Sequence, residues 1–560
     1  AATLAIVAVF APVAFIRGII GRFYFQFGVT VSAAVLISRF VAFTLTPVLC
    51  SRFLKIKKRH GSIYAILENA FSTVDDMYRK GLAACLEHRL LVTTLAIGIF
   101  VASLGLFGLL GAELIQKEDR DDFVVLLETP VGTSLALGDK KLAKCEAIVR
   151  ALPETRSIFA LMGAGGFNAV TNKGFIFVQL KGASEREKSQ ETIMSYLRKE
   201  LNGIPGIIAY VEDITAMGGG GMGRSAPLQF RIKGPELSQL GEISTNIIAQ
   251  LRQIDGIVGV GSDMELTKPE VRVYIDRDKA ADLGVDVRVI ASAVNTLIGG
   301  REVSHFRSGG KSYDVRVRLI PEQRSMFQDI NRLLVRNAKG ELVRLSNVVE
   351  VREEVGPDVI NRLDRQRSTT IFADLENKPL GEAIAETREI VKETLPPGYA
   401  MEFAGQAETM GETFQSIIFA FFLTILITYM VLASQFESFI HPFTIMLALP
   451  LTIIGALGSL FLTGNTINIM SLIGMLMLIG LVVKNSILLV DYTNTLRGQG
   501  MEMREAVLEA GPVRLRPILM TAISTIAGVL PIALGFGAGG ESRAPMAIAV
   551  AGGMTSSTLL

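Results

Sequence analysis

The sequence predicts a bundle of membrane-spanning α-helices carrying a large α+β domain outside the bilayer, built from two ferredoxin-like split βαβ modules with an inserted lobe. Three observations lead there. Of the 560 residues, 49% are hydrophobic and 20% are charged, and the mean hydropathy is +0.41: too apolar for an ordinary soluble protein, too charged to be all membrane. Apolar runs of membrane length lie near 28–50, 90–111, 414–433, 441–463, 467–491 and 517–537, with partial runs at 1–16 and 545–560. Between the second and third full runs, the polar stretch 112–413 repeats the order strand, helix, strand, strand, helix, strand.

Orientation follows from the basic residues. Arg52, Lys55, Lys57, Lys58, Arg59, Arg79, Lys80 and Arg89 fall between 51 and 89, and Arg497, Arg504, Arg514 and Arg516 fall between 492 and 516. The positive-inside rule makes both loops cytoplasmic, which puts 112–413 on the other side. Residues 62–88 place Ile63, Ile66, Leu67, Ala70, Phe71 and Val74 at helical spacing. That suits a helix lying on the cytoplasmic membrane surface, or a soluble connector. The first residues are apolar at once with no signal-peptide pattern, and the last run stops short of a full span. Both ends therefore read as cut inside helices.

The outside segment divides into a first module, 112–217, a second module, 218–267 with 353–413, and an inserted lobe, 268–352. Residues 1–50 hold a partial and a full membrane helix, 51–89 the cytoplasmic loop with its amphipathic helix, 90–111 another span, and 414–560 the remaining spans, the last truncated. Strands are read at 122–128, 155–162, 174–181 and 206–213 and helices at 133–151 and 186–202, after which the same pattern begins again. Parallel or mixed sheets of this kind pack helices on one face and leave the other for a neighbour, so clefts between modules are natural ligand sites.

Several functions are set aside. With 56 basic and 54 acidic residues the net charge is +2, and no field points to nucleic acid. Cys50, Cys85 and Cys145 are far apart and form no CxxC pair. His60, His88, His305 and His441 fall in separate regions, which supports neither a zinc nor a hydrolase site, and no cofactor motif is present. GGGGMGRS (218–225) lacks the GK[ST] ending of a phosphate loop and reads as a linker.

The informative stretch is 467–494, INIMSLIGMLMLIGLVVKNSILLVDYTN. A lysine at the centre of a membrane helix costs about 2.5–3.5 kcal/mol on insertion scales, so Lys484 needs a partner or a task. It is either an ion-coupling residue or a lysine snorkelling to the cytoplasmic interface about two turns away. Asp491, seven residues on, either pairs with it or marks the interface. Arg514 and Thr521 also lie seven apart and share a helix face that could point at Lys484. Read plainly, Arg514 and Arg516 are inside anchors and Thr521 is a packing hydroxyl.

GLVVKNSILLVDYTN, RLRPILMTA, SQFESFIHPFTIMLALPL and the PVGTSL turn resemble segments of resistance-nodulation-division (RND) multidrug efflux pumps of the hydrophobe/amphiphile class, and the resemblance covers essentially the whole chain. It implies that the chain is the carboxy-terminal half of an inner-membrane pump that exchanges protons for small hydrophobic drugs, not an enzyme. Lys484, Arg514 and Thr521 would then form a proton-sensitive network answering an aspartate pair upstream of Ala1. The loop LMGAGGFNAVTNK (161–173) resembles the switch loop between proximal and distal pockets, which places Gly163, Gly165 and Phe167 on the drug path. Phe159 and Phe177 match aromatic positions lining the distal pocket. Ala164 and Gly166 stand where that loop can carry aromatics, a departure bearing on substrate range. The resemblance also implies a homotrimer or heterotrimer whose lobe docks a periplasmic adaptor protein and an outer-membrane channel. The alternatives are a metal-exporting relative, for which Met162, Met217, Met222, Met264 and Met401 would be thioether ligands, or a protein-secretion accessory.

Overall fold

The computed structural model describes residues 2–10, 18–53, 62–163, 171–214, 224, 226–537 and 539–559. The chain enters through α1 (Ala2–Phe10), α2 (Gly18–Phe53), α3 (Ser62–Glu87) and α4 (Arg89–Leu109). The first module follows as β1 (Asp122–Glu128), α5 (Leu135–Arg150), β2 (Thr155–Met162), β3 (Lys173–Leu180), α6 (Gln190–Asn202) and β4 (Ile208–Asp213). Ser134 and Ser189 cap α5 and α6, each side chain accepting from a backbone N–H three residues on.

Its strands are ordered β2-β3-β1-β4 and every pairing is antiparallel, which corrects the expectation of a parallel or mixed sheet. The reason is topological. The helical crossover from β1 to β2 leaves one strand's width between them, and β3 returns through a hairpin to fill it. Alternate residues of each strand face α5 and α6, burying Phe123, Val125, Ile176 and Val178 against Leu142, Val149, Leu197 and Leu201.

The second module opens with β5 (Leu228–Gly234), α7 (Leu237–Leu251) and β6 (Ile257–Ser262). The inserted lobe then runs through β7 (Lys268–Ile275), α8 (Arg277–Asp282), α9 (Val287–Val294), β8 (Arg301–Ser308), β9 (Lys311–Val317), β10 (Leu334–Arg336), β11 (Leu342–Arg344) and β12 (Val349–Gly356). β7 and β12 pair as an antiparallel stalk, and the β8–β9 hairpin turns at Gly309 and Gly310, both at positive φ. The module closes with β13 (Asn361–Leu363), β14 (Gln366–Leu375), α10 (Leu380–Thr394) and β15 (Ala400–Ala404), its sheet repeating the first with β6-β14-β5-β15.

β15 passes directly into α11 (Gly405–Phe436), Gly405 taking φ +61 at the join. The bundle continues with α12 (Ile440–Met446), α13 (Ala448–Leu462), α14 (Ile469–Gly498), α15 (Met503–Ala533) and α16 (Gly540–Leu559). Six described spans are long and apolar enough to cross a bilayer, matching the six full runs of the sequence. Two details differ. The run at 441–463 is divided at Leu447 into α12 and α13, and most of 492–516 is helical, α14 and α15 extending past the apolar zone to a turn at 499–502. Helix α3 packs along the first half of α15: Arg79, Glu87 and Glu68 pair with Glu509, Arg504 and Arg516, and the bare Cα of Gly511 admits Tyr78 and Leu82. The amphipathic helix thus has a protein partner.

Candidate functional site

Helix α14 is the centre of the bundle, packing on α1, α12, α13, α15 and α16. Asn468 caps it, accepting from Ser471 N–H at 2.9 Å while the Ser471 hydroxyl accepts from the Asn468 N–H. Lys484 is half-buried four turns in, one turn beyond Gly480, whose bare face lies against Ile6, Val9 and Phe10 of α1. Residues four apart share a helix side, so Lys484 lies on the side that α1 covers. It forms no hydrogen bond or ion pair with another described residue. Asp491 is exposed and does not pair with it.

Arg514 and Thr521 lie on the facing helix. Lys484 is fourteen residues before the end of α14, and Arg514 and Thr521 are eleven and eighteen residues after the start of α15. At ~1.5 Å per residue, the lysine's level lies between theirs, about 21 Å from the turn against about 17 and 27 Å. Side-chain contact does not complete the trio. The Arg514 guanidinium stacks on Tyr492 of α14, 4.6 Å from the ring centre, and its Nε is buried without a hydrogen-bond partner among the described residues. The Asn485 amide nitrogen, beside Lys484, is likewise buried and unmet. Thr521 donates to Ile518 O of its own helix at 2.9 Å. Tyr492, eight residues after Lys484, is a residue that sequence reasoning missed.

The outside modules grip this helix at its start. After α4 the chain pairs with the segment leading into α14: Glu113 N donates to Ile467 O at 2.9 Å, Ile467 N to Gly111 O at 2.8 Å, and the Thr466 hydroxyl to Glu113 Oε2 at 3.2 Å. Burial raises the Glu113 pKa, and the Thr466 hydrogen bond and Lys117 only partly oppose it. The folded chain therefore keeps this proton to higher pH than the unfolded chain, so stability falls as pH rises above the group's ordinary value of 4.5. Glu113→Gln should flatten that slope in melting curves taken between there and neutrality; an unchanged slope would remove Glu113 from the account.

On the first module, Phe159 and Phe177 are direct partners across β2 and β3 and are 59% and 37% exposed. They lie on the sheet face opposite α5 and α6, beside Leu161 and Phe175, with Phe159 and Phe175 rings 5.9 Å apart. Core aromatics would be covered; these form an open apolar patch. Gly163 closes β2 at φ +86, its N–H donating to Lys173 O at 2.9 Å. Gly165 and Phe167 lie outside the described residues. His305, read from sequence as isolated, stands between Glu302 and Asp314 at 3.5 and 3.1 Å, an exposed ion-pair group on the β8–β9 hairpin.

The model of the AcrB/AcrD/AcrF family matches residues 1–560. The chain belongs to that family. Its fold is similar to that of a solved structure described as the X-ray crystal structure of a heavy metal efflux pump, with a TM-score of 0.86 and 22% sequence identity. The match covers 100% of this chain and 56% of that one, and at this identity the likeness concerns the fold. This AcrB/AcrD/AcrF-family chain is thus a multi-pass inner-membrane protein of the RND class with an extramembrane α+β domain, and not an enzyme.

Proposed function

We propose that the chain is part of a proton-antiport pump that moves hydrophobic and amphiphilic drugs across the cell envelope. Lys484 carries this reading: a half-buried amine in the central helix, with no anion among the described residues to neutralise it. A cation so placed calls for carboxylates from another stretch of polypeptide on the side of α1. When those acids take up protons, the lysine loses its counter-ions and the packing of α14 against α15 shifts toward a second state. Arg514 and Thr521 line the helix that answers the shift. The contacts of 111–113 with 466–467 offer a route by which movement of α14 reaches the outside modules. Assembly as a trimer, with the lobe meeting an adaptor and an outer-membrane channel, belongs to the same proposal.

The Phe159–Phe177 patch is the drug-contacting surface in this reading, beside the loop containing Gly163, Gly165 and Phe167. Phe159→Ala and Phe177→Ala should each lower resistance to aromatic drugs about 5- to 10-fold, as expected when a stacking contact of about 1–1.5 kcal/mol is lost. Both side chains are exposed, so protein amount should not change. Unaltered susceptibility at normal expression would move the drug path elsewhere.

A metal-exporting reading draws on the solved pump's description alone. Among the described methionines, Met162 packs on Gly138 and Gly174 of the first module, Met264 lies near Gly241 of the second, and Met401 lies in β15. They do not converge. Tight binding of copper(I) or silver(I) by the purified full-length protein would favour that reading over drug export.

A further inference from the structure

Lys484 is not the only cation at the middle of the membrane. Arg39 of α2 is the single charged residue between 28 and 50, eleven residues from either end of that apolar run. A charge at such a depth is as costly as the one on Lys484. Snorkelling does not relieve it, because eleven residues of helix rise about 16 Å, more than an arginine side chain can span. The guanidinium turns to protein instead. Nη1 donates to Thr3 Oγ1 of α1 at 3.0 Å, and the Phe43 ring, one turn further in, lies 4.8 Å from the guanidinium carbon. No carboxylate among the described residues pairs with it.

Its depth matches that of Lys484. The Tyr24 hydroxyl of α2 donates to Ile469 O of α14 at 3.5 Å, which sets the two helices at a common level near their outer ends. Both run inward from there, toward the basic loops that follow them. Arg39 and Lys484 each lie fifteen residues further on, about 22 Å at ~1.5 Å per residue. Helix α1 joins them, packing on both α2 and α14. It runs outward, so the step inward from Gly480 to Lys484 on α14 corresponds to the step from Ile6 toward Thr3 on α1. Thr3 is the residue that holds Arg39, so two cations meet the same turn of one helix.

Two positive charges at one level repel each other, and hydrocarbon screens neither. They need anionic charge close to both. Helix α1 carries no titratable residue and α2 no acid, so neither helix supplies it. The apolar part of α2 is uncovered by the described residues, which leaves room against Arg39 for a further element.

We propose that Arg39 is a second coupling cation, which shares with Lys484 a membrane-embedded carboxylate site supplied from outside the described residues and sets the pH at which that site gives up its proton. The inference rests on the proton-antiport reading and adds a residue to it. The two cations divide the work by their chemistry. A desolvated lysine can change both charge and position, whereas a guanidinium stays charged. Arg39 is the constant member: it favours the ionised carboxylate in every state, so the site releases its proton at lower pH than it would beside Lys484 alone.

The test is ethidium-dependent proton flux in vesicles carrying the full-length protein, measured across a series of pH values on the cytoplasmic side. Arg39→Gln should move the midpoint of that series upward by about one pH unit, the lower end of the effect of an opposite charge a few ångströms from a carboxylate, and leave the maximal rate near that of the parent. Arg39→Lys keeps the charge and should keep the parent's midpoint. Arg39→Leu carries the same expectation as Arg39→Gln should the amide variant assemble poorly. An unmoved midpoint in the neutral variants, or loss of their flux at every pH, overturns the proposal. A packing or lipid-anchoring role would change protein amount or melting temperature and not the midpoint. Lys484→Ala in the same vesicles should carry no flux at any pH, so failure of the proton-antiport reading shows in that variant and failure of this inference in the Arg39 variants.

Discussion

Lys484→Ala, introduced into the full-length protein, should reduce proton-coupled drug efflux to the level of cells lacking the pump while expression and assembly stay normal. The argument turns on what the lysine costs. Placing its charge in hydrocarbon is unfavourable by about 2.5–3.5 kcal/mol on insertion scales, so alanine relieves the fold of that cost and lost activity cannot be assigned to a weaker fold. Lys484→Arg separates the two roles a membrane lysine can have. An interfacial anchor needs only a long cationic side chain, and arginine would serve. A coupling residue must fit one geometry and exchange compact counter-ions. The forked guanidinium, always charged, changes both the shape and the hydrogen bonding of the site, so arginine should fail as fully as alanine. Ethidium accumulation in cells, with proton flux in inverted vesicles, reads both outcomes. Normal efflux in Lys484→Ala, or full rescue by Lys484→Arg, would reject the coupling role.

Much of this was legible in the residues because the bilayer and the sheet each impose a period. The apolar runs gave six spans since a helix crossing lipid must satisfy its own backbone and stay apolar for about 20 residues. The βαββαβ order was readable because strands such as DFVVLLE and GFIFVQLK bury alternate residues against helices, a pattern local to each segment. What stayed hidden depends on pairing between distant segments. Nothing in YVED (210–213) shows that Tyr210 will meet Phe372, more than a hundred residues later, across Arg224 from a glycine-rich connection. Arg514 read either as a cytoplasmic anchor, as charge at a helix end usually is, or as sharing a face that could point at Lys484; its ring partner Tyr492 emerges only once α14 and α15 fold back on each other. The helix at 62–88 showed its amphipathic face but not what would cover it, because α15 supplies the matching charges some 430 residues away in sequence.

Replacing Gly552 by leucine should prevent the membrane bundle from assembling. Helices α13 and α16 cross through two matching small-residue patterns, Gly455 with Ser459 on one and Gly552 with Ser556 on the other, each pair four residues apart. A Cβ on Gly455 would lie 2.4 Å from Gly552 O, and one on Gly552 would lie 2.4 Å from Gly455 O, so the two backbones touch with no room for even a methyl group. The serines tie the crossing from both sides: Ser459 Oγ donates to Ile548 O at 3.0 Å and Ser556 Oγ to Leu451 O at 3.3 Å. In lipid the solvent drives no hydrophobic association between helices, so this close fit is itself the attraction. Gly474 of α14 meets Met546 of α16 in the same way, so α16 cannot retreat from one neighbour without losing the other. Gly552→Ala should cost about 1–3 kcal/mol, the usual range for overpacking, and lower the melting temperature in detergent. Gly552→Leu should push the axes apart, break both hydrogen bonds that the serines make across the crossing and leave little folded protein. Gly528 of α15, with open space around its Cα, provides the control: Gly528→Leu should be tolerated. Equal melting temperatures for Gly552→Leu and Gly528→Leu would show that the contact between α13 and α16 does not hold the bundle together.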